Sequence, residues 1–235
     1  ILDGVHGGGG YSAGKEVGFS LITDLNGAYE NPYQMQMWFE YEGGMELAQE
    51  LYGKFNMHFI GPIFWGVESI PSKNPIRNMA DFKGVKMRAP EGMAQDIFKK
   101  LGAAPVNIPG SEVYTALERG VISATDWGTL GMNEDLGYHK IAKFPIYPGI
   151  HSMPGTDVSV NLDKWNALPK DLQAIVTVAV RDFARDMIQT IAQTDAVAAA
   201  QSKAAGVELV NWSQEERRKF RAVASTVWKE YSTRS

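Results

Sequence analysis

No cysteine occurs among the 235 residues. That absence excludes disulfides, thiolate metal sites and cysteine nucleophiles together, and it suits an oxidising compartment where stray thiols are a liability. No apolar run approaches the ~18 residues that a membrane-spanning helix needs. Positive charge is not in excess: 23 Lys and Arg against 27 Asp and Glu leave a formal net charge of −4. Bulk charge therefore points to neither nucleic acid nor an anionic membrane. Histidine is scarce, and His6, His58, His139 and His151 are scattered without metal-ligand spacing. H-E-x-x-H is missing, and no dinucleotide fingerprint stands between a strand and a helix. The four glycines Gly7 to Gly10 lack the Lys-Ser/Thr pair of a phosphate loop. They read either as a flexible loop or as a loop whose backbone approaches a ligand closely, with Tyr11 placed to close over it.

Hydrophobic residues make up 44% and charged residues 21%, a balance that can bury a core. Against a prior of roughly 150 residues per domain, the length allows one large domain or two lobes. The chain opens Ile1-Leu2-Asp3-Gly4, with no initiator Met, signal peptide or polar leader. This reads as the inside of a strand followed by a loop. The expectation is that an amino-terminal part of the native protein precedes it, including any strand paired with Ile1-Leu2.

The stretch from Asp81 to Trp127 organises the chain. Val85 to Arg88 alternates as a short strand ending at Pro90. Met93 to Leu101 is an amphipathic helix, with Ile97, Phe98 and Leu101 at helical spacing and Gly102 as its stop. Ala104 to Ile108 is a second strand. Ser111 opens a second helix that presents Val113, Leu117 and Val121, and Ile122 to Trp127 is a third strand. Strand–helix–strand–helix–strand is the repeating unit of a parallel sheet covered by helices. Ligands of such sheets sit beyond the carboxyl ends of the strands. Arg88 and the pair Asp126-Trp127 stand at two of those ends, which makes them pocket residues.

Elsewhere, Asn31 to Tyr52 reads as two helices broken at Gly43-Gly44, and Phe55 to Val67 as a strand broken by Gly61-Pro62. Glu68 sits where that strand becomes the loop Ser69 to Asn78. A glutamate there is ordinarily a solvated surface carboxylate. Gly128 to Gly137 is a loop or short helix, Tyr138 to Phe144 a helix, and Pro145 to His151 an aromatic connector. Val158 to Asn161 is a strand. A helix free of proline and glycine then runs from about Lys170 to Ala205. At 1.5 Å per residue it is roughly 50 Å long, enough to lie across two lobes. Val207 to Val210 reads as a last strand and Gln214 to Tyr231 as a terminal helix.

These segments resemble the substrate-binding proteins of tripartite ATP-independent periplasmic (TRAP) transporters. The resemblance is carried by GVKMRAP, KKLGAAPV and IPGSEVYTALERGVISATDW, then by YPG at 147–149, VSVNLDKWNALP at 158–169 and the single long helix. It runs from about Leu2 to Tyr231. It implies an α/β, two-lobed periplasmic binding protein fold with a long helix spanning both lobes. Lobe I would hold 1–65 and 154–193, and lobe II 66–153 and 194–235. It also implies a periplasmic location, membrane subunits of a TRAP transporter as partners, and room for a homodimer such as some members form. The family arginine falls on Arg88, where it would clamp the ligand carboxylate with a two-pronged salt bridge that lysine could not replace.

The acidic-Trp pair, the YPG connector and the His6 to Tyr11 loop look like the branch that binds 2-oxo and 2-hydroxy monocarboxylates with a metal ion. Phe64, Trp65, Trp127, Ile150 and His151 would then shape the pocket. Other branches, for sialic acid or C4-dicarboxylates, usually carry a second arginine at the position of Glu68. The 2-oxo acid branch has a metal-binding glutamine there. Arg88, Glu68, Asp126 and a ligand carboxylate sum to two negative charges, which a closing cleft would leave uncompensated unless a carboxyl is protonated or a cation enters. Oxygen donors from Asp126, Glu68 and the Trp127 backbone carbonyl suit a hard cation, calcium first and sodium second. No organic cofactor is expected. The alternatives are a protein binding a C4-dicarboxylate or an aromatic carboxylate without metal, and, more distantly, an enzyme acting on a small carboxylic acid.

Overall fold

The computed structural model describes residues 3–234. Two small sheets carry the molecule, and their strands differ in type because their connections differ. In chain order the elements are β1 (Gly4–Gly7), α1 (Gly18–Thr23), α2 (Pro32–Tyr41), α3 (Gly44–Gly53), β2 (Met57–Phe64), β3 (Lys86–Arg88), α4 (Met93–Lys100), β4 (Ala104–Val106), α5 (Gly110–Glu118), β5 (Ala124–Thr125), α6 (Leu130–Asp135), β6 (Gly155–Asn161), α7 (Leu162–Ala167), α8 (Lys170–Ala204) and α9 (Gln214–Ser232).

The first sheet is antiparallel in the order β1–β6–β2. Its partners are far apart in sequence: Val5 and Phe59 both pair with Ser159. The strand expected over Phe55 to Val67 is one continuous element, Met57–Phe64. Gly61-Pro62 does not break it, because the irregularity is absorbed as a register shift between Phe59 and Gly61. Beneath this sheet lies a core of Met35, Phe39, Tyr52, Phe59, Ile63 and Phe64, with Val180, Ala184 and Ile188 of α8.

The second sheet is parallel, in the order β4–β3–β5. Its strands and helices are those read from the periodicity between Asp81 and Trp127. Phe98, Met87, Phe82, Phe220 and Trp212 fill its core, and α9 packs on α4. Fully burying a side chain such as Phe98 contributes about 1.5–3 kcal/mol. The 35-residue helix α8 packs on β2 at one stage and on α6 at another, so it joins the two sheets' surroundings.

Three expectations need correction. Val207 to Val210 is not a strand; only Val210 makes a bridge, to Ile146. The Glu208 and Val210 N–H groups do donate to the Lys143 and Pro145 carbonyls, but Pro145 has no N–H to return to Glu208, so the ladder does not extend. Tyr138 to Phe144 is helical only as a short 3-10 turn, Tyr138–Lys140. The four glycines are not one loop: Gly7 ends β1, and Gly9–Ser12 is a 3-10 turn. Ile1 and Leu2 lie outside the described residues, so the strand read there is not described; the strand that is described begins at Gly4.

Candidate functional site

Parallel pairing puts Arg88 opposite Thr125 at the carboxyl ends of β3 and β5. Asp126 follows at once. Its N–H donates to the Arg88 carbonyl at 2.9 Å, and Arg88 Nη1 donates back to the Asp126 carbonyl at 2.5 Å. Arg88 Nε reaches the Ile108 carbonyl at 3.4 Å, and the guanidinium lies 4.8 Å over the Trp127 ring. Two of the five guanidinium donors are thereby engaged. The remaining Nη1 and Nη2 hydrogens still present the end-on fork that matches a carboxylate. Trp127 is seated by Gly110: a Cβ there would fall 1.9 Å from the indole.

Glu68, on the segment leaving β2, and His151, in the connector, come to the same place. One ligand atom each from Glu68, Asp126 and His151 lies within 4.8 Å of the others. His151 Nε2 is 3.1 Å from Asp126 Oδ1 and 3.8 Å from Glu68 Oε2. The Asp126 and His151 side chains are buried, and that of Glu68 is 12% exposed. Glu68 is thus no solvated surface carboxylate. The 3.1 Å approach is misaligned for a ring N–H, and among the described residues Asp126 Oδ2 is buried without a donor when both acids are ionised.

Electrostatics separate the two acids. Burial, then the neighbouring Asp126, drive the Glu68 carboxyl well above the usual range. For Asp126, burial acts upward but is outweighed by His151, a hydrogen bond with Glu68, and Arg88, and its carboxyl falls below the ordinary value. A protonated Glu68 donating to an ionised Asp126 is the cation-free solution to the charge excess. A third acid, which the sequence did not single out, shares this field. Asp24 is pushed up to about 6, chiefly by burial, and accepts a 2.7 Å hydrogen bond from Ser152.

A cleft of about 730 Å³ opens beside Arg88, lined also by Tyr11, Lys15, Glu91, Asn107 and Arg234. Tyr11 is 91% exposed on its wall. Tyr11 and Arg88 therefore meet in one cavity, while Glu68, Asp126 and His151 form the buried cluster that adjoins Arg88 through the Asp126 carbonyl. Phe64 belongs to neither: it is buried in the core of the first sheet, its ring 6.1 Å from that of Phe39.

Residues 11–234 match the family of bacterial extracellular solute-binding proteins, family 7 (DctP). The chain belongs to this family. It is 31% identical over 226 residues to the monocarboxylate 2-oxoacid-binding periplasmic protein of Nostoc sp., covering 95% of this chain and 62% of that protein's length. The chain thus spans less than two thirds of that relative. A TRAP periplasmic solute-binding protein from Rhodobacter sphaeroides, in an apo open structure, shares 42% identity at a TM-score of 0.88, over 99% of this chain and 74% of that one. Two further TRAP solute-binding proteins each cover 99% of this chain and 71% of their own. One, from Pseudoalteromonas atlantica with bound sodium and pyruvate, has 32% identity and a TM-score of 0.82. The other, from Colwellia psychrerythraea with bound calcium and pyruvate, has 31% identity and a TM-score of 0.84. The fold is that of the TRAP periplasmic binding proteins, and these relatives are binding proteins rather than enzymes.

Proposed function

We propose that this chain captures a 2-oxo or 2-hydroxy monocarboxylate for a TRAP transporter, working in the periplasm with that transporter's membrane subunits. Arg88 pairs with the ligand carboxylate. Glu68 and Asp126, with the adjoining Trp127 carbonyl as a third oxygen, hold a hard cation, and His151 lies against both acids. The observation that carries this reading is the placement of the Arg88 fork against the same Asp126 whose buried Oδ2 lacks a donor. The donor-poor acid fits a cation, and the carboxylate oxygens suit calcium, with sodium second. Relatives with bound pyruvate and either ion support the pairing of acid and cation. The glutamate at position 68, in place of a second arginine, argues against a C4-dicarboxylate. The lobes would comprise 1–65 with 154–193 and 66–153 with 194–235, with Tyr11 and Arg88 facing each other across the cleft.

The test is calorimetric titration with pyruvate, lactate, succinate and picolinate after exhaustive chelation, and again with calcium or sodium restored. Pyruvate or lactate should bind, and only with a cation present. Tight succinate or picolinate binding that ignores the chelator would establish the metal-free alternative instead.

A further inference from the structure

The turn that follows α1 reaches the cation cluster from outside it. Asp24 ends that helix and accepts three donors: Ser152 Oγ at 2.7 Å and Asn26 Nδ2 at 2.8 Å on one oxygen, and the Met153 N–H at 3.3 Å on the other. The Gly27 N–H of the same turn donates to the His151 carbonyl, and the Glu68 N–H donates to the Ser152 carbonyl at 2.9 Å. Three chain segments, around positions 24–27, 68 and 151–153, are therefore fastened at one point. Ser152 is buried there, with its hydroxyl between two acids, within hydrogen-bonding reach of both Asp24 and Glu68. A serine hydroxyl carries one proton and can give it to only one of them. The geometry gives it to Asp24.

We propose that Asp24 is a positioning residue of the cation site, holding the Ser152 proton away from Glu68 so that the Glu68 oxygens remain open to the ion. This rests on the cation reading above. Without the Asp24 charge the hydroxyl would turn to the anionic Glu68, because an ionised acceptor outcompetes a neutral amide. It would then compete with the cation for the same oxygen. Asp24 itself touches neither ion nor organic acid in this arrangement.

The experiment is titration of chelator-treated protein with calcium chloride alone, and with sodium chloride alone, at neutral pH. Asp24→Asn should weaken calcium binding about tenfold or more, as loss of outer-shell partners does. Adding Ser152→Ala to Asp24→Asn should recover affinity, since the competing hydroxyl is gone. Ser152→Ala alone should bind calcium no more weakly than the wild type, and this arm decides the matter if Asp24→Asn does not fold. A role in structural support alone predicts the reverse, with both serine variants weaker. Wild-type affinity in Asp24→Asn, or a double variant no tighter than Asp24→Asn, overturns the assignment and leaves the cation reading intact. A wild type that binds neither ion overturns both.

Discussion

The Arg88 guanidinium donates to the Asp126 carbonyl while the Asp126 N–H donates to the Arg88 carbonyl, so the ends of β3 and β5 are stitched together in both directions. The residue proposed to clamp the ligand thus also fixes the backbone beside the proposed cation.

Arg88→Ala should accordingly cost two things. Pyruvate affinity should fall by about 2–5 kcal/mol, mostly from leaving the ligand carboxylate unpaired. Calcium affinity measured without pyruvate should fall too, because Asp126 loses its anchor. Arg88→Lys should recover only part of either, lacking the fork. Unchanged pyruvate binding in Arg88→Ala would place the clamp elsewhere.

The buried acids make both stability and binding depend on pH. An aspartate that ionises near 3.8 when exposed holds its proton to about 6 at position 24, so folding favours its neutral form. The stability it contributes is full below about 4 and is lost as pH rises through about 6. In chelator, the melting temperature of the wild type should therefore decline relative to Asp24→Asn across that window. Glu68, also raised, adds in the same direction and extends the loss upward. Cation binding must displace the Glu68 proton. Calcium affinity should rise with pH, and the heat of binding should differ between buffers of unequal ionisation enthalpy, such as HEPES and Tris. Equal heats would show that no proton leaves.

How far the sequence foretold this site follows from which signals are local. The unit from Asp81 to Trp127 was legible because each element shows its period and each stop its glycine, and strand ends then followed from topology. Two elements had no such signal. In β1 the residues Gly-Val-His-Gly offer no alternation, and the strand exists because β6 pairs with it about 150 residues later. Asp24 looked like any loop acid, since Ser152 lies 128 residues away in sequence. The facing of Phe64 was not legible for a related reason. Alternation shows that a strand has two faces but not which one meets the cleft, and the shift between Phe59 and Gly61 changes the facing midway.

Gly149 offers a test of how rigid the cluster must be. A Cβ at this position would lie 1.8 Å from the Glu68 carbonyl oxygen, a backbone atom that cannot rotate aside. Gly149→Ala should destabilise the fold by about 1–3 kcal/mol through overpacking. Because the strain falls between Glu68 and the His151 connector, calcium affinity should drop more than that of a variant destabilised equally elsewhere, such as Ile97→Val in the second core. Equal losses would mean that the cluster tolerates movement of the Glu68 backbone.

The cleft supplies the last prediction. Tyr11 stands 91% exposed on a cavity of about 730 Å³, far larger than a three-carbon acid requires. An organic acid gripped by Arg88 alone would leave most of that space wet. A ligand favours closure only through contacts it makes in the closed state and not in the open one. Tyr11, which lines the cleft together with Arg88, is the side chain placed to make them. Pyruvate with calcium should reduce the radius of gyration in small-angle scattering, while calcium alone should leave it unchanged. In Tyr11→Ala pyruvate should bind more weakly through Arg88, and the ligand-bound radius should stay near that of the free protein. An identical radius for free and saturated wild type would show that the acid is held without closure, and Tyr11 would then be a surface residue with no part in capture.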